Sequence, residues 1–424
     1  MTMERAGLRD DSVAAKRAIE ALRSGVPNRA AVRELGAHQP EIVACFDDLL
    51  GAAAGNAPAG GVVVSGDFGS GKSHLLEYLL HVALDRGFVA GKVVISKETP
   101  LYDPAKVLRS ALDGARVPDR RGGALPEVVE RLSDRFGTEA YREFADWVNR
   151  PATGLNERFA ATLFLYENTI SDLELRDRIV RFWGGDPITV GELKRELREL
   201  GEGATWAFAR VTEKELAVQR FRFVARLIRA AGYAGWVILF DEVELIGRYS
   251  LLQRARSYAE VARWVDGRDV GFPGIMAVLA KTLDFDEAVI HAKGDRDGAP
   301  NRLRARGTPE DDELAQRAER GVGLLDRGAL RLQQPDAGVL RDTYERLRII
   351  HARAYEWQPP PLRVEQAEAS RPMRQYVRSW INEWDLRRLD ATYQPEIEIE
   401  RIDATYDEDH ELEGEESADR FADD

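Results

Sequence analysis

The 424-residue sequence predicts an α/β fold: a P-loop NTPase parallel sheet carrying a helical insertion and a C-terminal helical lid. Three observations carry that expectation. Val62, Val63 and Val64 are a β-branched apolar run of the kind buried in a parallel sheet, and the run stops at Gly66 where a glycine loop opens a helix. Trp236-Val-Ile-Leu-Phe240 is a second apolar strand, ending in two adjacent carboxylates, Asp241 and Glu242. Between the two, residues 118–203 show helical spacing of apolar side chains and no strand signal.

The glycine loop reads Gly66-Asp67-Phe68-Gly69-Ser70-Gly71-Lys72-Ser73-His74 and fits the phosphate-binding pattern without a mismatch. Main-chain N–H groups at such a turn point at phosphate oxygens, and the helix dipole favours an anion there. Lys72 would neutralise the β- and γ-phosphates of ATP, and the Ser73 hydroxyl would ligate Mg²⁺. The glycine spacing does not suit a dinucleotide fingerprint, which lacks the Lys–Ser pair. An ordinary glycine-rich turn is the alternative; the strand before and the helix after argue against it. Asp241 would hold Mg²⁺ directly or through water, and Glu242 would orient and polarise the attacking water.

Composition sets the bounds. One cysteine, Cys45, excludes a disulfide framework and a cysteine metal site, and the six histidines show no ligand spacing. The first residues are polar, no apolar run approaches a membrane span, and the expectation is a cytoplasmic protein without a membrane partner. Net charge is −13, of which Asp407–Asp424 contributes −9, so the body is only mildly acidic and charge does not exclude nucleic acid.

In chain order, Met1–Asp11 is expected to be disordered and Ser12 to cap a helix with Val13, Ile19 and Leu22. A loop through Pro27 and Asn28 leads to a second helix; Ile42, Cys45, Phe46, Leu49 and Leu50 mark a third. Gly51–Gly61 is a flexible connection into the first strand, and Leu75, Leu76, Leu79 and Leu80 give the loop helix its apolar face. Gly91–Ser96 is a second strand, followed by a loop to Pro104 and a helix with Val107, Leu108 and Leu112. A long helix from Glu213 to Ala231 intersperses Arg220, Arg222, Arg226 and Arg229 among apolar residues, and solvated faces are favoured over a nucleic-acid contact. After Asp241 come a polar turn, a helix through Leu251–Trp264, and a strand Gly274–Thr282 whose end offers Lys281 or Thr282 as a γ-phosphate sensor. His291–Arg306 is expected to be a solvated loop rich in cations, with a subunit-bridging arginine or a nucleic-acid contact as alternatives. Leu330–Leu332 is expected to be a short last strand, and two helices separated by Pro359-Pro-Pro361 form the lid, with Arg371 or Arg374 placed to reach the phosphates. Residues 394–424 are expected to be an acidic, disordered tail.

The blocks Ala18–Asn28, Gly66–His74, Ile95–Pro104, Gln219–Tyr233, Gly235–Ala259 and Arg374–Leu389 together resemble the ATP-binding proteins of bacteriophage-exclusion (BREX) defence systems. The block running from Asp241-Glu-Val-Glu-Leu-Ile-Gly-Arg248 through Arg254 is more specific than the phosphate loop. The resemblance implies an AAA-type ATPase similar to origin-recognition and STAND ATPases, with ATP and Mg²⁺ as cofactors. It implies the roles already argued for Lys72, Ser73, Asp241 and Glu242, and a catalytic lid arginine, Arg374 or its neighbour Arg371. Other phage-defence proteins are the implied partners; DNA and a second copy of the chain are further candidates. Residues 1–60 are expected to form an N-terminal helical segment, 61–117 with 204–335 the ATPase core, 118–203 the insertion and 336–393 the lid. The alternatives are a nucleotide-gated interaction module with little turnover, and a DNA loader or remodeller unrelated to defence.

Overall fold

The computed structural model describes residues 2–25, 28–55, 60–118, 123–203, 205–266, 272, 274–362 and 372–393. The tail 394–424, Arg371 and part of the connection before the first strand lie outside them.

Three helices open the chain: α1 (Thr2–Ser24), α2 (Arg29–Leu35) and α3 (Pro40–Ala54). α1 runs from Thr2, so Ser12 lies inside it instead of capping it. Its Glu, Arg, Leu and Met residues are good helix formers, which polarity alone does not reveal. Asn28 caps α2 by accepting from Ala31 N–H at 3.0 Å.

The phosphate-loop unit follows, β1 (Gly61–Gly66) and α4 (Lys72–Asp85), then β2 (Val89–Val94), which begins and ends two residues before the predicted strand. Next come α5 (Pro104–Asp113) and a short antiparallel strand β3 (Ala115–Arg116). The strand-free stretch folds as α6 (Ala124–Ser133), α7 (Glu139–Asn149), α8 (Glu157–Asn168), α9 (Leu173–Gly184) and α10 (Val190–Glu199). The long helix α11 (Glu213–Ala230), started by a Thr212–Glu215 capping box, leads into β4 (Trp236–Asp241). A 3-10 turn (Val243–Arg248), α12 (Leu251–Val265) and β5 (Ile275–Thr282) complete this part. The chain ends with α13 (Asp295–Arg304), α14 (Pro309–Arg327), β6 (Leu330–Arg331), α15 (Ala337–Tyr355) and α16 (Met373–Leu389).

Among the described residues six strands form one sheet in the order β3-β2-β4-β5-β1-β6, parallel throughout except for β3. Alternate strand residues serve opposite faces. Val63, Val93, Ile238, Phe240 and Leu279 pack towards α5, α11 and α12, while Val62, Val64, Val237, Leu239 and Val278 pack towards α3 and α4. Both faces are covered, which is why the strands read as unbroken apolar runs. A third apolar cluster joins α1 and α2 to α15 and α16 through Ile19, Leu22, Leu35, Leu347, Trp380, Ile381 and Trp384.

Two predictions about charged segments are corrected. His291–Arg306 is not a loop: a π-helical turn (Asp286–His291) runs into α13, and its cations pair internally, Arg304 with Glu319 at 2.6 Å, Arg306 with Asp311 at 3.2 Å and Arg296 with Asp326. On α11, Arg220 is buried and donates to the carbonyls of Phe182 (2.9 Å) and Asp186 (3.0 Å). Arg222 donates to Thr153 O at 2.7 Å and Arg229 to Ala53 O at 2.7 Å, while Arg226 lies over the Trp147 ring. Arg220, Arg222 and Arg229 thus tie α9, the turn after α7, and α3 to α11 and are not solvated, while Arg226 stays on the exposed face. No helix among the described residues is long and apolar enough to cross a membrane.

Candidate functional site

The site lies at the carboxyl edge of the sheet, where parallel α/β sheets hold ligands. β1 ends at Gly66 and the loop returns to α4, whose N-cap is Gly71 with φ +102. A side chain would be strained at that angle, so glycine is required. Gly71 offers no side-chain cap, so the first-turn N–H groups of α4 keep their capacity for an anion. The Ser70 hydroxyl is buried without a hydrogen-bond partner, and Phe68 at the crest is exposed.

Lys72 is buried and folds back into the loop, donating to the carbonyls of Gly66 at 2.9 Å and Asp67 at 3.1 Å. Burial lowers its pKa, opposed by the charges of Glu244, Asp241, Asp284 and Asp67. Ser73 is partly buried on the first turn of the helix. Asp67 accepts from Gln334 at 3.2 Å, which ties the loop to the chain after β6. His74 turns away from the loop: its Nε2 donates to Gly36 O at 2.7 Å, and burial lowers the ring's pKa, leaving it neutral. Only the His74 main chain is at the helix mouth.

Asp241 closes β4 with its carboxylate buried. Its Oδ1 accepts from Glu242 N–H at 3.1 Å, and its Oδ2 lies 2.8 Å from the Lys92 ammonium on β2. Glu242 is exposed and held in a left-handed conformation, φ +59, at the head of the 3-10 turn. That conformation costs about 1 kcal/mol and persists because the following turn is anchored. Tyr249 O–H donates to Ser96 O at 3.1 Å, Lys293 to Gly247 O at 3.0 Å, and buried Arg254 grips Asp295 and Tyr249 O. Although the residue is exposed as a whole, partial desolvation of its carboxyl, then the neighbouring Asp241, raises the Glu242 pKa, while Lys92 and Lys72 lower it. Glu244 completes the group: its Oε2 is buried without a partner, and burial pushes its pKa up to about 7.

Of the remaining sequence candidates, Thr282 ends β5 opposite Gly66, at the mouth of the loop. Lys281 is fully buried and donates to both carboxylate oxygens of Asp286, at 2.6 and 2.7 Å. At the start of α16, a Cβ placed on Gly69 would stand 3.2 Å from Pro372 and 3.9 Å from the Arg374 Cβ, so the backbone there abuts the loop. The Arg374 guanidinium, however, leans away over Gly25 and reaches Ser24 O at 3.5 Å. Sequence reasoning missed Lys92 and Glu244. A lysine inside an apolar strand and a third acid three residues after Asp241 were the signals.

A mostly parallel six-stranded sheet with a glycine loop between its first strand and helix is compatible with the P-loop NTPase class. Residues 12–174 and 155–383 match the family described as BREX system ATP-binding protein BrxC/D, and the chain belongs to that family. It is thus an ATP-binding component of a BREX phage-defence system, and other proteins of that system are its partners. No curated protein matches the chain.

Proposed function

We propose that the protein is a Mg-ATP-dependent ATPase of the AAA type that supplies ATP-driven work to a BREX system. What supports this best is the meeting of Lys72 with Asp241 and Glu242. Lys72 is the first residue of α4, reached by the loop that leaves β1, and Asp241 ends β4; β1 and β4 flank β5 in the sheet, and the charges of Lys72, Asp241 and Glu242 act on one another.

The residues fit the cofactors. The uncapped first turn of α4, the unpartnered Ser70 hydroxyl and Lys72 form a cradle for a triphosphate. No group of three or more His, Cys, Asp or Glu converges on a metal among the described residues. That suits Mg²⁺, which is usually held by one or two protein oxygens together with substrate phosphates. Ser73 and Asp241 would hold it, and it would offset phosphate charge. Lys72 exchanges its loop carbonyls for phosphate oxygens. Glu242, whose carboxyl is made more basic by partial desolvation, orients a water and accepts its proton. Arg374, or Arg371 in its place, reaches the γ-phosphate from the lid.

The test combines binding and turnover. Mg-ATP at about a hundred times its dissociation constant should stabilise the protein by about 2.7 kcal/mol, and Lys72→Ala should remove that shift. A wild-type melt indifferent to Mg-ATP would overturn the reading. A second reading, a nucleotide-gated module with little turnover, has one observation in its favour: neither the Lys281 ammonium nor the Arg374 guanidinium rests at the loop. Hydrolysis assays with and without DNA or BREX partners separate the two, and also test DNA as a partner; the oligomeric state in Mg-ATP tests a second copy of the chain.

A further inference from the structure

Asp241 already has a cation. Lys92 and Asp241 sit on hydrogen-bonded neighbouring strands, with Lys92 opposite Leu239 and Val94 opposite Asp241. The lysine therefore reaches two residues along the sheet, to its carboxyl edge, and its ammonium stands 2.8 Å from Asp241 Oδ2. The Asp241 side chain is 5% exposed and the Lys92 side chain 28%, so a nearly dry carboxylate meets an ammonium that still touches solvent. The same ammonium acts on the carboxyl groups of Glu242 and of Glu77 on α4. A lysine in the middle of an otherwise apolar strand has no packing reason to be there.

We propose that Lys92 is a positioning residue that holds the place of the metal at Asp241, so that Asp241 takes up a divalent cation only when a nucleotide brings it. The proposal rests on the reading of Asp241 and Glu242 as the metal-handling and water-orienting carboxylates. Two adjacent carboxylates without a counter-ion attract free divalent cations strongly in a site of low dielectric. One ammonium at contact distance offsets half of that charge and fixes which oxygen of Asp241 faces the sheet. Phosphates arriving with Mg²⁺ supply the missing ligands and tip the competition towards the metal. The partly exposed lysine stem lets the ammonium withdraw without unpacking the strand.

The experiment uses the full chain without nucleotide and follows thermal unfolding during a Mg²⁺ titration. Wild type should respond weakly. Lys92→Met should respond at Mg²⁺ concentrations at least about tenfold lower, because an unpaired buried carboxylate then seeks the metal. Lys92→Arg should behave as wild type, and adding Asp241→Asn to Lys92→Met should abolish the gain. Lys92→Gln serves the same purpose should the methionine variant fail to fold. Equal Mg²⁺ midpoints for wild type and a folded Lys92→Met or Lys92→Gln would overturn the proposal. No nucleotide is present, so the outcome is separate from that of the ATPase reading, whose failure shows as a wild type indifferent to Mg-ATP.

Discussion

Charge at the ends of two strands sets what the site can do. Glu242→Gln keeps the shape of the side chain but loses the negative charge that polarises water. It should bind ATP with near wild-type affinity and lose turnover by on the order of a hundredfold, measured by titration and phosphate release. Asp241→Asn should instead raise the Mg²⁺ concentration needed for turnover. Glu244 makes a pH prediction. Its folded pKa of about 7 lies above the ordinary value of 4.5 for a glutamate, so the folded protein retains a proton that the unfolded chain has lost. Stability should therefore fall as pH rises from about 4.5 to 7, by up to about 3 kcal/mol, and Glu244→Gln should flatten that slope in denaturant melts. The place of Asp241 and Glu242 at the end of β4 was legible because an apolar run that ends in two acids is a local pattern. Lys92 was not, since its meaning depends on the register between strands that are far apart in sequence.

Elements were legible where periodicity was clean and the charges belonged to one face. The phosphate-loop strand, α11, β4 and β5 followed from runs and spacing. α13 did not, because Gly294 just before it and Gly298 and Pro300 within it read as loop. Tertiary pairing overrides that reading: Asp295 at its start is fully buried and takes two hydrogen bonds from Arg254, at 2.7 and 2.9 Å, and a third from Tyr258 at 2.6 Å. The arginines of α11 show the same limit from the other side. Arg220 lies among apolar residues and serves carbonyls at the end of α9, which only the packed structure discloses. Arg220→Ala should cost about 2–4 kcal/mol in chemical denaturation, since it removes a buried side chain together with its two hydrogen bonds and leaves a cavity, while Arg226→Ala, on the exposed part of the helix, should cost less.

At the scale of the molecule, the ends of the chain form one body against the loop. α1 and α2 share an apolar cluster with α15 and α16, although Ile19 and Trp384 lie at opposite ends of the chain. Pro372 abuts Gly69 of the phosphate loop, and Arg374 rests its guanidinium over Gly25 at the end of α1. The seat exists because Gly25 has no side chain: a Cβ there would stand 2.2 Å from the guanidinium, and φ is +70 besides. Only a contact that differs between the ATP and ADP states can shift this body. An arginine that leaves Ser24 for the γ-phosphate would be such a contact, being charge-assisted and lost on hydrolysis. Arg374→Ala should then lower turnover more than it lowers ADP affinity, and Gly25→Ala, which disrupts the seat alone, should spare turnover. Mg-ATP should slow hydrogen exchange in the last turn of α1 and the first turn of α16 together, whereas ADP should not. In cells with an otherwise complete BREX system, Lys72→Ala and Arg374→Ala should both lose protection in plaque counts. Full protection by Lys72→Ala would mean that ATP is not what this chain contributes, and full protection with wild-type turnover by Arg374→Ala would remove that arginine from the coupling.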